Sequence, residues 1–185
     1  MNRYPLIAIT GGIGSGKSVV SQVLRVLGYD VFDSDSEAKA LMDADQAIHR
    51  RLCEEIDSRI VSKGVIDRRL LASIVFADEA KLGVLNSIVH SSVKQRLADW
   101  HSRHSSAAFV ETAILYESGL NAMVDREWRV ESPLALRIER TMKRSNLSRE
   151  EVEARIASQS VIPTAPFPAL SVLVNDERSA LLPQI

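Results

Sequence analysis

At 185 residues, with 45% hydrophobic and 25% charged side chains, the chain has the composition of a soluble globular protein and room for one domain, or one domain with a modest insertion. A formal charge of -1 and a pI near 6.4 argue against broad attraction to polyanions, so any anion must be held locally. A single cysteine, Cys53, excludes an internal disulfide or a multi-cysteine metal site and fits a reducing compartment.

No stretch approaches the ~18 apolar residues needed to span a bilayer, so an unprocessed cytoplasmic protein with no membrane partner is expected. Aromatic content is 5%, without an interleaved basic stripe, so no nucleic-acid partner is expected either.

Leu6 to Ile9 is a continuous apolar run, as a strand buried on both faces requires, and it runs into the glycine-rich stretch Gly11 to Gly16. Val20, Val23, Leu24 and Leu27 then recur at helical spacing, with Gly28 placed for a left-handed C-terminal cap. Tyr29 to Phe32 reads as a second strand, with Asp33 and Asp35 just past its end. From Ser36 to Arg103 the patterns are helical, such as Leu70, Leu71, Ile74 and Val75, with no clear strand, and this stretch is expected to be a helical insertion. Ala107 to Val110 reads as a strand ending at Glu111, and Trp128 to Val130 as another. Ser132 and Pro133 suit the N-cap and first turn of a helix running to about Arg144. Ser148 and Glu151 have capping-box spacing for a helix to about Gln159. Pro163 to Pro168 is expected to be an extended connection, and Ser171 to Val174 the last strand. Alternating strands and helices of this kind predict an α/β fold, a parallel sheet with helices on both faces and ligands at the carboxyl ends of the strands.

Gly11, Gly12, Ile13, Gly14, Ser15, Gly16, Lys17 and Ser18 fulfil the pattern GxxxxGK[ST] between a buried strand and an amphipathic helix, the context that gives the pattern meaning. Backbone N–H groups must converge on a phosphate without side chains in the way, and the helix N-terminus adds partial positive charge. Lys17 is placed to reach the β- and γ-phosphates of ATP, and the Ser18 hydroxyl to ligate a bridging Mg2+. No NKxD, DxxG or LSGGQ element accompanies the loop, and the strand at Phe109 and Val110 ends in Glu111-Thr112 rather than paired acids. These absences leave small-molecule kinases.

A kinase needs a carboxylate beside the acceptor hydroxyl and cations around the transferring group. Asp33 is the candidate base, on a strand expected to neighbour the strand that enters the loop; helix capping before Glu37 to Leu41 is the competing reading for Asp33 and Asp35. Arg137, Arg140 and Arg144 fall at i, i+3 and i+7 of one helix and share a face, with Lys143 and Arg149 nearby. A basic lid closing over phosphates at about 137–165 follows, with Arg140 in the transition-state role; a solvated basic face is the alternative. His101 and His104 read as exposed and without a role.

The whole chain resembles the dephospho-coenzyme A kinase family. The resemblance rests on Ile9 to Ser18, on Val31-Phe32-Asp33-Ser34-Asp35 and on Gly64-Val65-Ile66-Asp67-Arg68-Arg69-Leu70-Leu71. It continues through Leu85 to His90, Glu111-Thr112-Ala113-Ile114-Leu115-Tyr116-Glu117, Arg140 with Arg144, Gln159, and Val174-Asn175. It implies a P-loop kinase fold with a five-stranded parallel sheet, a helical substrate-binding insertion at 36–104, and a lid; the nucleotide core would be 1–35 and 105–185. The implied reaction moves the γ-phosphoryl of ATP to the 3′-hydroxyl of dephospho-coenzyme A. By the same resemblance Asp33 is the base, Lys17 and Arg140 are phosphate clamps, Arg144 and Asn175 bind ATP, and Arg68, His90, Glu111 and Glu117 serve the acceptor side. Where the family usually has proline after the histidine, this chain has Ser91. From the residues alone, another small-metabolite or nucleoside kinase, or a non-catalytic ATP-binding regulator, remain the alternatives.

Overall fold

The computed structural model describes residues 4–159 and 167–185. These fall into two units, one built from the chain up to Asp33 and from His101 onward, the other from Ser34–Trp100.

In the first unit β1 (Leu6–Thr10) is buried along its whole length, the environment its unbroken apolar run calls for. It continues through the glycine loop into α1 (Lys17–Val26), whose Val20 and Leu24 pack with Ile7, Ile9 and Phe109 on one face of the sheet. Gly28 follows the end of α1 with a φ of 89°, the left-handed conformation that stops a helix and that glycine adopts without a steric cost. The remaining strands of this unit are β2 (Val31–Asp33), β5 (Ala108–Glu111), β6 (Arg126–Glu131) and β7 (Leu170–Val174). They form one five-stranded sheet in the order β2-β5-β1-β6-β7, parallel throughout. The chain leaves β1 toward one edge and later returns to its other side, so the crevice at the carboxyl end of β1 is the topological switch point.

This order corrects one expectation: β2 is not the neighbour of β1, because β5 lies between them. Asp33 is also the last residue of its strand rather than the first beyond it.

Two further α-helices of the first unit lie among the described residues. Helix α6 (Leu134–Ser145) has Pro133, not Ser132, at its N-cap, and no side chain caps it, since the Ser132 hydroxyl is engaged by Arg140. Helix α7 (Arg149–Ala157) opens with the expected capping box, Ser148 accepting from the Glu151 amide and Glu151 from the Ser148 amide. Of the proline-rich connection, 160–166 lies outside the described residues.

The second unit has its own core, with Ile48, Leu52, Ile60, Leu71 and Ile88 buried together. Its elements are α2 (Ser34–Ala44), α3 (Gln46–Glu55), α4 (Arg68–Val75) and α5 (Glu79–His101). The helical expectation here missed a hairpin, β3 (Val61–Ser62) with β4 (Val65–Ile66), whose two-residue strands are too short to show a period. Its turn residues Lys63 and Gly64 both have positive φ, 52° and 76°, as a tight primed turn needs. Helix α5 runs without a break through Ser91, which keeps the backbone N–H that proline would lack.

Asp67 caps α4 by accepting from the amides of Arg69 at 3.0 Å and Leu70 at 2.9 Å. Asp67→Ala is therefore expected to lower the unfolding free energy by about 1 kcal/mol. The check is a lower denaturant midpoint at unchanged slope; an unmoved midpoint would contradict the cap. Among the described residues no helix is long and apolar enough to cross a membrane.

Candidate active site

The loop between β1 and α1 is shaped by contacts from outside it. The Ile13 amide donates to Gln159 Oε1 at 2.9 Å, while Gln159 Nε2 donates to the Ala113 carbonyl at 3.2 Å. Asn175 Nδ2 donates to the Ser15 carbonyl at 2.9 Å, and Arg137 Nε to the Ile13 carbonyl at 2.9 Å. Gly14 has a φ of 77°, and a β-carbon there would lie 2.3 Å from the Arg137 carbonyl oxygen, so α6 closes against bare backbone. At the start of α1 the Val19 amide donates to the Gly16 carbonyl at 3.0 Å, and the N-terminus of the helix brings its partial positive charge to the loop. Lys17 Nζ donates to the carbonyls of Gly11 at 2.9 Å and Gly12 at 3.3 Å, which places its charge on the loop. Ser18 is exposed on the first turn of α1.

The strand register brings two carboxylates to this end of the sheet. Asp33 pairs with Glu111, and Glu111 with Ile9. In-register neighbours in a parallel sheet put their side chains on the same face, about 4.8 Å apart. Ile9 packs with Val20 and Leu24 of α1, so Asp33 and Glu111 lie on the α1 face, at the carboxyl edge, beside the strand that enters the loop. Glu111 takes the position that the sequence expectation gave to Asp33, adjacent to β1.

On the opposite face Glu127 is fully buried and accepts from Arg129 Nε at 2.8 Å and from the Tyr116 hydroxyl. Burial, helped by the Glu127 carboxylate, raises the Tyr116 pKa above its ordinary value. In sequence, Glu127 within Arg126–Glu131 looks like an ordinary exposed position of a polar strand, and only its buried partners mark it.

The three arginines of α6 do not act as one cluster. Arg140 Nε and Nη2 donate to Glu177 at 3.2 and 2.9 Å, and its Nη1 to Ser132 Oγ at 3.1 Å and the Asn175 carbonyl at 3.2 Å. Arg137 reaches the loop, and Arg144 is exposed. Lys143 and Arg149 are tied to Glu139 and Glu153 of their own helices. Pro133, Leu136, Asp176, Glu177 and Arg178 line a cavity of about 470 Å³ beside Asn175.

Glu117 is exposed in the segment after β5. In the second unit, Arg68 is exposed at the start of α4 and paired with Asp43, and His90 is half-buried on α5. His101 and His104 are half-buried rather than exposed: His101 Nε2 lies 3.1 Å from the Tyr4 carbonyl and His104 Nε2 3.3 Å from Asp30.

A phosphate loop at the switch point, two carboxylates on its face and no paired acids at the end of β5 define a small-molecule kinase of the P-loop class. The family model described as dephospho-CoA kinase matches residues 5–180. Curated dephospho-CoA kinases are similar along most of the chain. That of Bacteroides fragilis is 40% identical over 97% of this chain and 88% of its own, and that of Thermus thermophilus is 40% identical over 85% and 76%. A crystal structure of a Thermus thermophilus protein superimposes with a TM-score of 0.78 at 36% identity, covering 99% of this chain and 93% of that one. A dephospho-CoA kinase from Campylobacter jejuni shares the fold, with a TM-score of 0.66 at 23% identity over 97% and 90%. The chain belongs to the dephospho-CoA kinase family. It is a kinase of coenzyme A biosynthesis that phosphorylates dephospho-coenzyme A with ATP, and the alternatives of another metabolite kinase or a non-catalytic regulator fall away.

Proposed function

We propose that Asp33 is the general base of this reaction and that the loop from Gly11 to Ser18 holds the polyphosphate of ATP. The observation that carries the assignment is the strand register, which sets Asp33 beside Glu111 on the α1 face at the end of the sheet where the loop begins. Asp33 takes the proton of the acceptor 3′-hydroxyl, that oxygen attacks the γ-phosphorus, and the bond to the β,γ-bridging oxygen breaks to release ADP.

Lys17 and Arg140 neutralise the charge on the phosphates, Arg140 by exchanging Glu177 for a phosphate oxygen, and Arg144 adds to the same field. Asn175 holds the loop, and the cavity beside it takes the nucleoside. The Ser18 hydroxyl with the carboxylates of Asp33 and Glu111 are hard oxygen donors of the kind that suit Mg2+, and among the described residues no group of three or more His, Cys, Asp or Glu could hold a metal alone. This fits an ion held largely by the nucleotide, which when bound would offset the charge on its β- and γ-oxygens. Within the helical unit, Arg68, by leaving Asp43 for an anionic group, and His90 on α5 are the residues proposed for acceptor recognition; within the first unit, Glu111 and Glu117 are the acceptor-side candidates. The cytoplasm is the proposed location, consistent with the free thiol of Cys53.

ADP formation in the presence of ATP and Mg2+ is expected to rise with added dephospho-coenzyme A and to give a product phosphorylated at the ribose 3′ position, read by mass spectrometry and phosphorus NMR. ADP release indifferent to that acceptor, or phosphate on another hydroxyl, would reject the assignment.

A further inference from the structure

Arg137 differs from three arginines of its unit that are held by carboxylates. Arg129 is paired with Glu127, Arg140 with Glu177 and Arg149 with Glu153. Arg137 forms no ion pair among the described residues, and residues 1–3 and 160–166 contain no acidic side chain. Its guanidinium instead lies against the loop: Nε donates to the Ile13 carbonyl at 2.9 Å, and a β-carbon on Gly12 would fall 2.2 Å from Nη2 and 2.5 Å from Cζ. A partly desolvated cation without a carboxylate gains from any anion brought near it, and the loop is the anion site.

We propose that Arg137 is a positioning residue for ATP, fixing the Ile13 peptide from behind the loop and holding beside the polyphosphate a positive charge that the protein itself does not neutralise. The proposal rests on the reading of the loop as the ATP site. Its chemistry follows from peptide geometry. The Ile13 carbonyl and the Gly14 N–H belong to one planar trans peptide, so they point in opposite directions. A charged donor on the carbonyl therefore leaves the Gly14 N–H directed away from Arg137, and it polarises the peptide so that this N–H becomes a better donor to phosphate. Gln159 and Asn175 pin the same loop with neutral amides; Arg137 adds charge to the pinning. Burial alone pulls the Arg137 pKa below its ordinary value, consistent with a guanidinium shielded from water and lacking an anion, yet it stays charged across the physiological range.

The test is steady-state kinetics, ADP binding by calorimetry and thermal unfolding of Arg137→Gln and Arg137→Lys. Gln retains an N–H donor and loses the charge; Lys keeps the charge. Arg137→Gln is expected to raise the KM for ATP and the Kd for ADP about tenfold, leaving the KM for dephospho-coenzyme A within about twofold. Arg137→Lys should recover most of the loss, and added salt should weaken ADP binding less steeply in the Gln variant than in the unaltered protein. Unaltered ATP and ADP affinity in Arg137→Gln, or a loss in both variants that tracks a lowered Tm, would overturn the proposal. Lys17→Ala, run alongside, separates the two readings: if it too leaves nucleotide binding unchanged, the loop assignment fails, and if it alone loses binding, only the role of Arg137 fails.

Discussion

Asp33→Asn is expected to lower kcat by about 10² to 10⁴, the range removed with a general base, while the affinity for ATP stays within about twofold. Asparagine keeps the shape and the hydrogen-bonding reach of the side chain but cannot accept a proton at neutral pH, so the substitution isolates the base function. Asp33 ends β2 in register with Glu111, and asparagine matches its size, so the substitution opens no cavity. Turnover, ADP binding and Tm measured together decide the matter. A parallel loss of nucleotide binding and Tm would mean that Asp33 serves the start of α2, which follows it directly, rather than the acceptor. Near-normal turnover would pass the base role to Glu111, its neighbour across the strand pair.

The second expected result is a loss of both affinity and rate in Lys17→Ala. The ammonium lies on the carbonyls of Gly11 and Gly12, so it is held over the loop at the first residue of α1, where the helix dipole already favours an anion. Removing it takes away a charge that strengthens as the γ-phosphoryl separates from ADP. A drop of about 10² to 10³ in kcat is expected, by analogy with loss of one preorganised transition-state donor, together with weaker ATP binding. Lys17 is half-buried and its ammonium rests on loop carbonyls, outside the apolar cluster of Val20 and Leu24, so Tm should hold. Wild-type kcat and ATP KM in this variant would remove Lys17 from the machinery.

The phosphate loop was legible because its features are local. Glycine where backbone must approach backbone, lysine and serine at the opening of a helix, and a buried strand before them are all written within about a dozen consecutive positions, and no distant residue is needed to read them. The capping box at Ser148 and Glu151 and the stop at Gly28 were legible for the same reason. The hairpin at Lys63 and Gly64 was not, since two-residue strands carry no period and Lys-Gly is a weaker turn signal than Asn-Gly.

Helical spacing correctly put Arg137, Arg140 and Arg144 on one side of α6, yet it could not divide their work. Arg140 is met by Glu177 and Asn175 from beyond β7, residues some 35 positions away, whereas Arg137 is met by the loop itself, 124 positions away. Glu127 shows the same limit from the other direction, an acid in a polar-looking strand that proves fully buried because Tyr116 and Arg129 close around it.

What the sequence by itself determined is the local layout of the chain: a glycine loop with the GxxxxGK[ST] pattern between strand and helix, a carboxylate at the end of the next strand segment and the alternation of strands and helices that makes a parallel sheet. Those follow from short-range periodicity and from residue types with a single physical use. The tertiary structure alone decided the strand order that puts β5 between β2 and β1, and with it the pairing of Asp33 with Glu111 and the different partners of Arg137 and Arg140. Which strand lies beside which, and which carboxylate meets which guanidinium, depends on how crossovers pack through the core, and that is a property of the folded chain as a whole.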